Sequence, residues 1–182
     1  MRLAAAAICV AALAGASLPA GAAEPVRAIP DIDIARYLGT WHEIARLPLY
    51  FERACARDIT ATYTANPDGT LGVHNACVKA DGGAKSADGV ARRPDPSGAP
   101  AELEVRFAPA WLGFLPFVWG DYWVIALDPD YRWAMVGEPS RNYLWILSRE
   151  PGLDRAVFED LKARATAMGY DLAPLIVSGT VR

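Results

Sequence analysis

Cysteine, histidine and methionine are scarce in this chain: three, two and three among 182 residues. Cys9 falls in the apolar N-terminal stretch, which leaves Cys55 and Cys77. With His74 as their one nearby histidine, these two make a poor metal site in an oxidising compartment, so neither metal nor cofactor is expected. Gly-x-Ser-x-Gly, His-Glu-x-x-His, Cys-x-x-Cys and a glycine-rich phosphate loop are all absent, which removes the common hydrolase, zinc-protease, redox and nucleotide readings. His42 and Glu43 are adjacent, but neighbouring side chains on a strand point to opposite faces and cannot form a dyad. Positive charge is not in excess: 18 Lys and Arg stand against 21 Asp and Glu, for a net charge of −3. Without a basic cluster, nucleic acid is an unsuitable partner. No segment beyond residue 23 has the ~20 apolar residues that a spanning helix needs.

What the chain does have begins with a leader. Arg2, the run "LAAAAICVAALAGASL", Pro19 and "AGAA" follow the positive, apolar, small-residue order of a secretory signal, so residues 1–23 are assigned to it and 24–182 to one domain. Ile8 stands before Cys9 where a lipoprotein signal wants a small residue. The chain is therefore expected to be exported, without a lipid anchor.

Short strand-like segments follow in quick succession, near 40–46, 58–65, 70–78, 84–91, 102–107, 121–128, 132–137 and 143–149, with turn signals such as "NPDG" (66–69) and "DPDY" (128–131) between them. Strand 102–107 alternates, with Leu103, Val105 and Phe107 against Glu102, Glu104 and Arg106, so one face is wet. "YWVIAL" (122–127) and "YLWIL" (143–147) are apolar on both faces and need a cover. The amphipathic segment 153–169, with Asp154 to cap its start and Gly169 its end, is the available one. Cys77 falls roughly opposite Asp58 across the hairpin, and a bulge there would let a Cys55–Cys77 disulfide form. Eight antiparallel strands fit a closed barrel or a two-layer sandwich equally well.

Three motifs separate these. "YLGTWHEIAR" (37–46) carries Gly39 and Trp41 into the first strand, "YWVIALDPDY" (122–131) ends in Asp128 and Tyr131, and "NYLWILSRE" (142–150) ends in Arg149. Together, in this order and with the helix that follows, they resemble the lipocalins, in particular the bacterial outer-membrane and apolipoprotein D-like branch. The resemblance implies an all-β fold: an eight-stranded antiparallel up-and-down barrel, open at one end, with one C-terminal α-helix on its flank. It also implies that Arg149 lies across Trp41 at the closed end in a structural role, with a short turn from Asp33 to Leu38 below.

In such a barrel the first, third, fifth and seventh connections ring the mouth. "WLGFLPFVWG" (111–120) is then a mouth loop, and Trp111, Phe114 and Trp119 are candidate ligand or membrane contacts; the plainer reading has them fold back and plug the barrel. Strand parity turns Trp41, Glu43 and Ala45 inward, along with Leu103, Val105, Phe107, Tyr143 and Trp145. An apolar pocket with a few polar spots suits a molecule with a long tail and one polar head. Relatives of this branch imply a fatty acid or a lysophospholipid, bound or carried without catalysis, and a place in the periplasm or in association with the outer membrane. A rim that docks a partner protein or a second copy as a homodimer is the alternative, and a lipid-modifying enzyme a weaker one.

Overall fold

The computed structural model describes residues 23–182, so the expected leader, apart from Ala23, lies outside the described residues. The domain opens with a one-turn helix, α1 (Ile34–Tyr37). The Asp33 side chain caps it, accepting from the N–H groups of Ala35 and Arg36. Those donors have no partner inside so short a helix, which is why an aspartate serves at this position.

Eight strands follow: β1 (Gly39–Arg46), β2 (Cys55–Ala65), β3 (Leu71–Lys79), β4 (Ala84–Arg92), β5 (Glu102–Arg106), β6 (Gly120–Leu127), β7 (Trp133–Gly137) and β8 (Leu144–Ser148). Each matches an expected segment to within a residue at either end, except that β2 begins at Cys55 instead of 58. Successive strands pair antiparallel and β8 returns to β1, so the sheet closes into a barrel and the sandwich is excluded.

Beyond the barrel come β9 (Gly152–Leu153), α2 (Arg155–Ala167), β10 (Ile176–Val177) and β11 (Thr180–Val181). Asp154 caps α2. In the segment "PLIVSG", β10 adds to the C-terminal end of β1, while β11 runs parallel to β9. This tail lies close to β1. A Cβ at Gly179 would stand 2.9 Å from backbone atoms of Glu43 and Ile44, so only glycine passes there.

The apolar residues form two layers. Phe158, Leu161 and Ala165 of α2 cover Ile44, Ile125, Met135 and Ile146 on the outside of the barrel. That cover explains why the late strands are apolar on both faces. Inside, Tyr37, Trp41, Leu103, Val124 and Val136 pack the closed end.

Arg149 locks that end. Its guanidinium carbon lies 3.8 Å from the centroid of the Trp41 ring, and its Nη groups donate to the carbonyls of Thr40 and Arg36 at 3.0 and 2.7 Å. Gly39, at φ +93°, lets the chain turn beneath it. Tyr131 accepts from the Asp33 N–H at 2.8 Å through its hydroxyl, and the Asp128 carboxylate receives the Arg132 side chain and the N–H groups of Asp130 and Arg132.

The Cys55–Cys77 disulfide is present, with Cα atoms 5.6 Å apart. Register shifts on both sides of Arg57, with Asp58 at φ 52°, provide the bulge that brings the pair together.

The Arg149 Nε donates as well, to the Tyr131 carbonyl at 3.3 Å, so Arg149→Ala is expected to lower unfolding stability by roughly 2–5 kcal/mol, the sum of one cation–π contact and three hydrogen bonds. Arg149→Lys should recover less than half, since an ammonium cannot reach all three carbonyls while covering the indole. Urea denaturation checks both, and wild-type stability in the alanine variant would refute the lock.

Candidate ligand-binding site

Above the packed end the barrel is hollow, with a cavity of about 420 Å³. That falls in the ordinary range for small-molecule sites. Alternation on the strands decides its lining. Ile59, Ala61 and Tyr63 of β2 and Val73, Asn75 and Cys77 of β3 face it, whereas Thr62 and Thr64 take the outer face on which Thr62 meets Thr40 at 3.0 Å. Small residues on β4, Ala87 and Ala91, leave the room.

The expected inward set divides. Glu43, Val105, Phe107 and Trp145 line the cavity. Leu103 does not; it is buried in the packed end. Tyr143 stands at the lip, stacked between Phe51 (centroids 6.4 Å apart) and Trp145 (6.1 Å). Trp145 in turn approaches Tyr122 at 6.4 Å, so a ladder of rings descends from the lip into the cavity.

Trp111 and Phe114 do not line the interior either. They project from the fifth connection, 73% and 77% exposed, and Phe117 and Tyr50 project similarly at 80% and 77%. The reading in which the tryptophan-rich loop folds back as a plug is thereby corrected for these rings. Trp119 takes another course. Its indole N–H donates to the Gly113 carbonyl at 2.8 Å, and Arg92 lies 3.8 Å over its ring. Since Arg92 belongs to the wet face of β4, Trp119 is held against the outer wall and not in the cavity.

A second correction concerns β1. Parity placed Ala45 inward, but a bulge between Glu43 and Ala45 shifts the pairing with β8. Glu43 pairs with inward Leu147, Ala45 with outward Ile146, and Arg46 with inward Trp145. Ala45 therefore joins the layer under α2, and Arg46 turns toward the cavity wall. One extra residue on one strand reverses every side chain beyond it.

The bulge assembles a charged cluster in an apolar wall. Arg46 donates to Glu43 at 2.9 Å, and Ser178 from the C-terminal tail donates to the same Glu43 oxygen at 2.6 Å. Glu52 lies 3.1 Å from the Arg46 Nε, an ion-pair distance without hydrogen-bond alignment. Its other oxygen receives the Trp145 indole N–H at 3.4 Å. One guanidinium faces two buried carboxylates. Burial first, and then the nearby Glu43 charge, push the Glu52 carboxyl up to about 8.

The lip is held by polar contacts. Lys85 donates to the Phe51 carbonyl at 2.6 Å, tying the first connection to β4. The buried Glu138 carboxylate accepts from the N–H groups of Ser140, Asn142 and Tyr143, which fixes the seventh connection and with it the Tyr143 ring.

Comparison with known proteins agrees with this geometry. The family model for the Lipocalin-like domain matches residues 32–179. Outer membrane lipoprotein Blc of Escherichia coli strain K12 is 43% identical over 154 residues, covering 83% of this chain and 81% of that protein. Temperature-induced lipocalin-1 of Arabidopsis thaliana is 41% identical over 148 residues (81% and 78%). Apolipoprotein D of Rattus norvegicus is 30% identical over 152 residues (80% and 75%). Among solved structures, insecticyanin from the tobacco hornworm Manduca sexta superposes with a TM-score of 0.63 over 89% of this chain and 93% of that one, at 21% identity.

Because the Glu52 carboxyl titrates near 8 in the folded protein against an ordinary 4.5, folding takes up a proton. Its contribution is harmless below pH 4.5 and becomes a growing penalty as pH rises from 4.5 to 8. Glu52→Gln is expected to flatten the fall in Tm across that window. Parallel Tm–pH curves for the two proteins would show that Glu52 is ionised throughout.

Proposed function

Since the chain belongs to the lipocalin family, whose members bind small hydrophobic molecules, we propose that it stores or carries a fatty acid or a lysophospholipid in its cavity, without chemical change to the ligand. The carrying observation is the uneven placement of polarity. The interior is apolar along most of its depth, while Lys85 and the Glu43–Arg46–Glu52 group stand on its wall toward the mouth. A tail would lie inside and a charged head would stay near those groups. Each buried methylene contributes roughly 0.8 kcal/mol, and association costs of ~4–15 kcal/mol consume much of the total for a long chain.

The exposed rings of Tyr50, Trp111, Phe114 and Phe117 support a role for the lip as the surface that meets a membrane while the ligand passes. Relatives named as outer membrane lipoproteins support an envelope setting. The leader pattern favours export, and Ile8 before Cys9 favours a protein without a lipid anchor.

Ala87→Trp, which fills the cavity from β4, is expected to weaken binding of a fluorescent fatty acid by roughly tenfold or more, the equivalent of about two displaced methylenes. Its Tm should stay near wild type. Undiminished affinity would place the ligand elsewhere. Trp111→Ser/Phe114→Ser/Phe117→Ser should instead cut partitioning onto phospholipid vesicles by about an order of magnitude and leave the affinity for a monomeric fatty acid unchanged. Loss of a solution dimer in that variant, with vesicle binding intact, would favour a docking module.

A further inference from the structure

The hydroxyls of Tyr37, Tyr63 and Tyr122 meet at the base of the cavity. The Tyr122 oxygen lies 3.0 Å from that of Tyr37 and 2.7 Å from that of Tyr63, and no other partner for the three occurs among the described residues. Each hydroxyl brings one proton and two lone pairs. Two contacts use two protons, whichever way the chain of donors runs. One O–H is therefore left without an acceptor.

Its direction follows from burial. Tyr37 is enclosed in the packed end, whereas Tyr63 and Tyr122 line the cavity. A spare proton on Tyr37 would be stranded among apolar groups, so the favoured arrangement carries it to Tyr63 or Tyr122, facing the cavity. Burial holds all three phenols well above their ordinary range, so they act as neutral donors. Among the described residues the one basic side chain in the cavity lining, Lys85, is engaged at the lip. A carboxylate at the base would be buried without a countercharge, which is costly. A neutral carbonyl, hydroxyl or ether oxygen would accept the proton without that cost.

We propose that the Tyr37–Tyr122–Tyr63 group is a hydrogen-bond donor subsite for a neutral oxygen at the inner end of the ligand, so that the protein selects oxygenated hydrocarbon chains over plain ones of equal length. This rests on the cavity being the lipid site.

The test titrates wild type and the Tyr37→Phe/Tyr63→Phe/Tyr122→Phe variant with palmitic acid and with its ω-hydroxy derivative. Replacing all three leaves no hydroxyl unpaired. The ratio of the two dissociation constants is expected to move about fivefold toward the plain acid in the variant, the loss of one hydrogen bond. An unchanged ratio overturns the subsite while leaving the lipid site intact. If the variant does not fold, wild type is titrated with palmitic acids whose hydroxyl is walked along the chain: an affinity peak at one inner position supports the subsite, and a flat series overturns it. Failure of both acids to bind wild type sinks the cavity reading, and the subsite with it.

Discussion

Arg149 over Trp41 joins the two strands that close the sheet, since Trp41 lies on β1 and Arg149 follows β8. The contact combines a cation over an indole face with three bonds to backbone carbonyls, and it sits where α1 covers the barrel. With Tyr37, Tyr63 and Leu103 packed in the same layer, one end of the barrel becomes solid. Everything above that layer is thereby free to remain hollow. A barrel of this strand number has an interior just wide enough for side chains to fill it, so emptiness has to be arranged by small residues such as Ala61, Ala87 and Ala91.

The hollow is not uniformly apolar, and the exception is expensive. Burying two carboxylates beside one guanidinium disfavours full ionisation, and the protein relieves it by leaving a proton on Glu52 in neutral solution. The cluster depends on three separate parts of the chain: the β1 bulge that turns Arg46 inward, the first connection that brings Glu52, and the tail that brings Ser178. Gly179 is the residue that lets the tail come so near. Groups that tie the fold together thus also line the cavity at this point of the wall.

Alternation made much of this legible beforehand. Strand positions, the covering helix and the disulfide follow from period-two and helical spacing and from the turn residues between them. Glu43, Val105, Phe107 and Trp145 were likewise readable from parity. Parity fails where a register shift intervenes, which is why Ala45 was assigned inward and Arg46 was missed. Tyr63 and Tyr122 were not singled out because a tyrosine on the inward side of a strand reads as packing until its hydroxyl partner, distant in sequence, is known. Trp119 was misplaced for a related reason: the sequence shows an aromatic loop but not the arginine on β4 that draws one ring to the outside.

The ring ladder from Phe51 through Tyr143 and Trp145 to Tyr122 is held in a fixed, handed arrangement by the backbone around it. Stacked chromophores so arranged couple electronically and absorb left- and right-handed light unequally. Anything that slides along the ladder disturbs that coupling rung by rung. The protein therefore carries its own optical gauge, built from side chains that run from the lip into the cavity, and needs no added dye to report on that space.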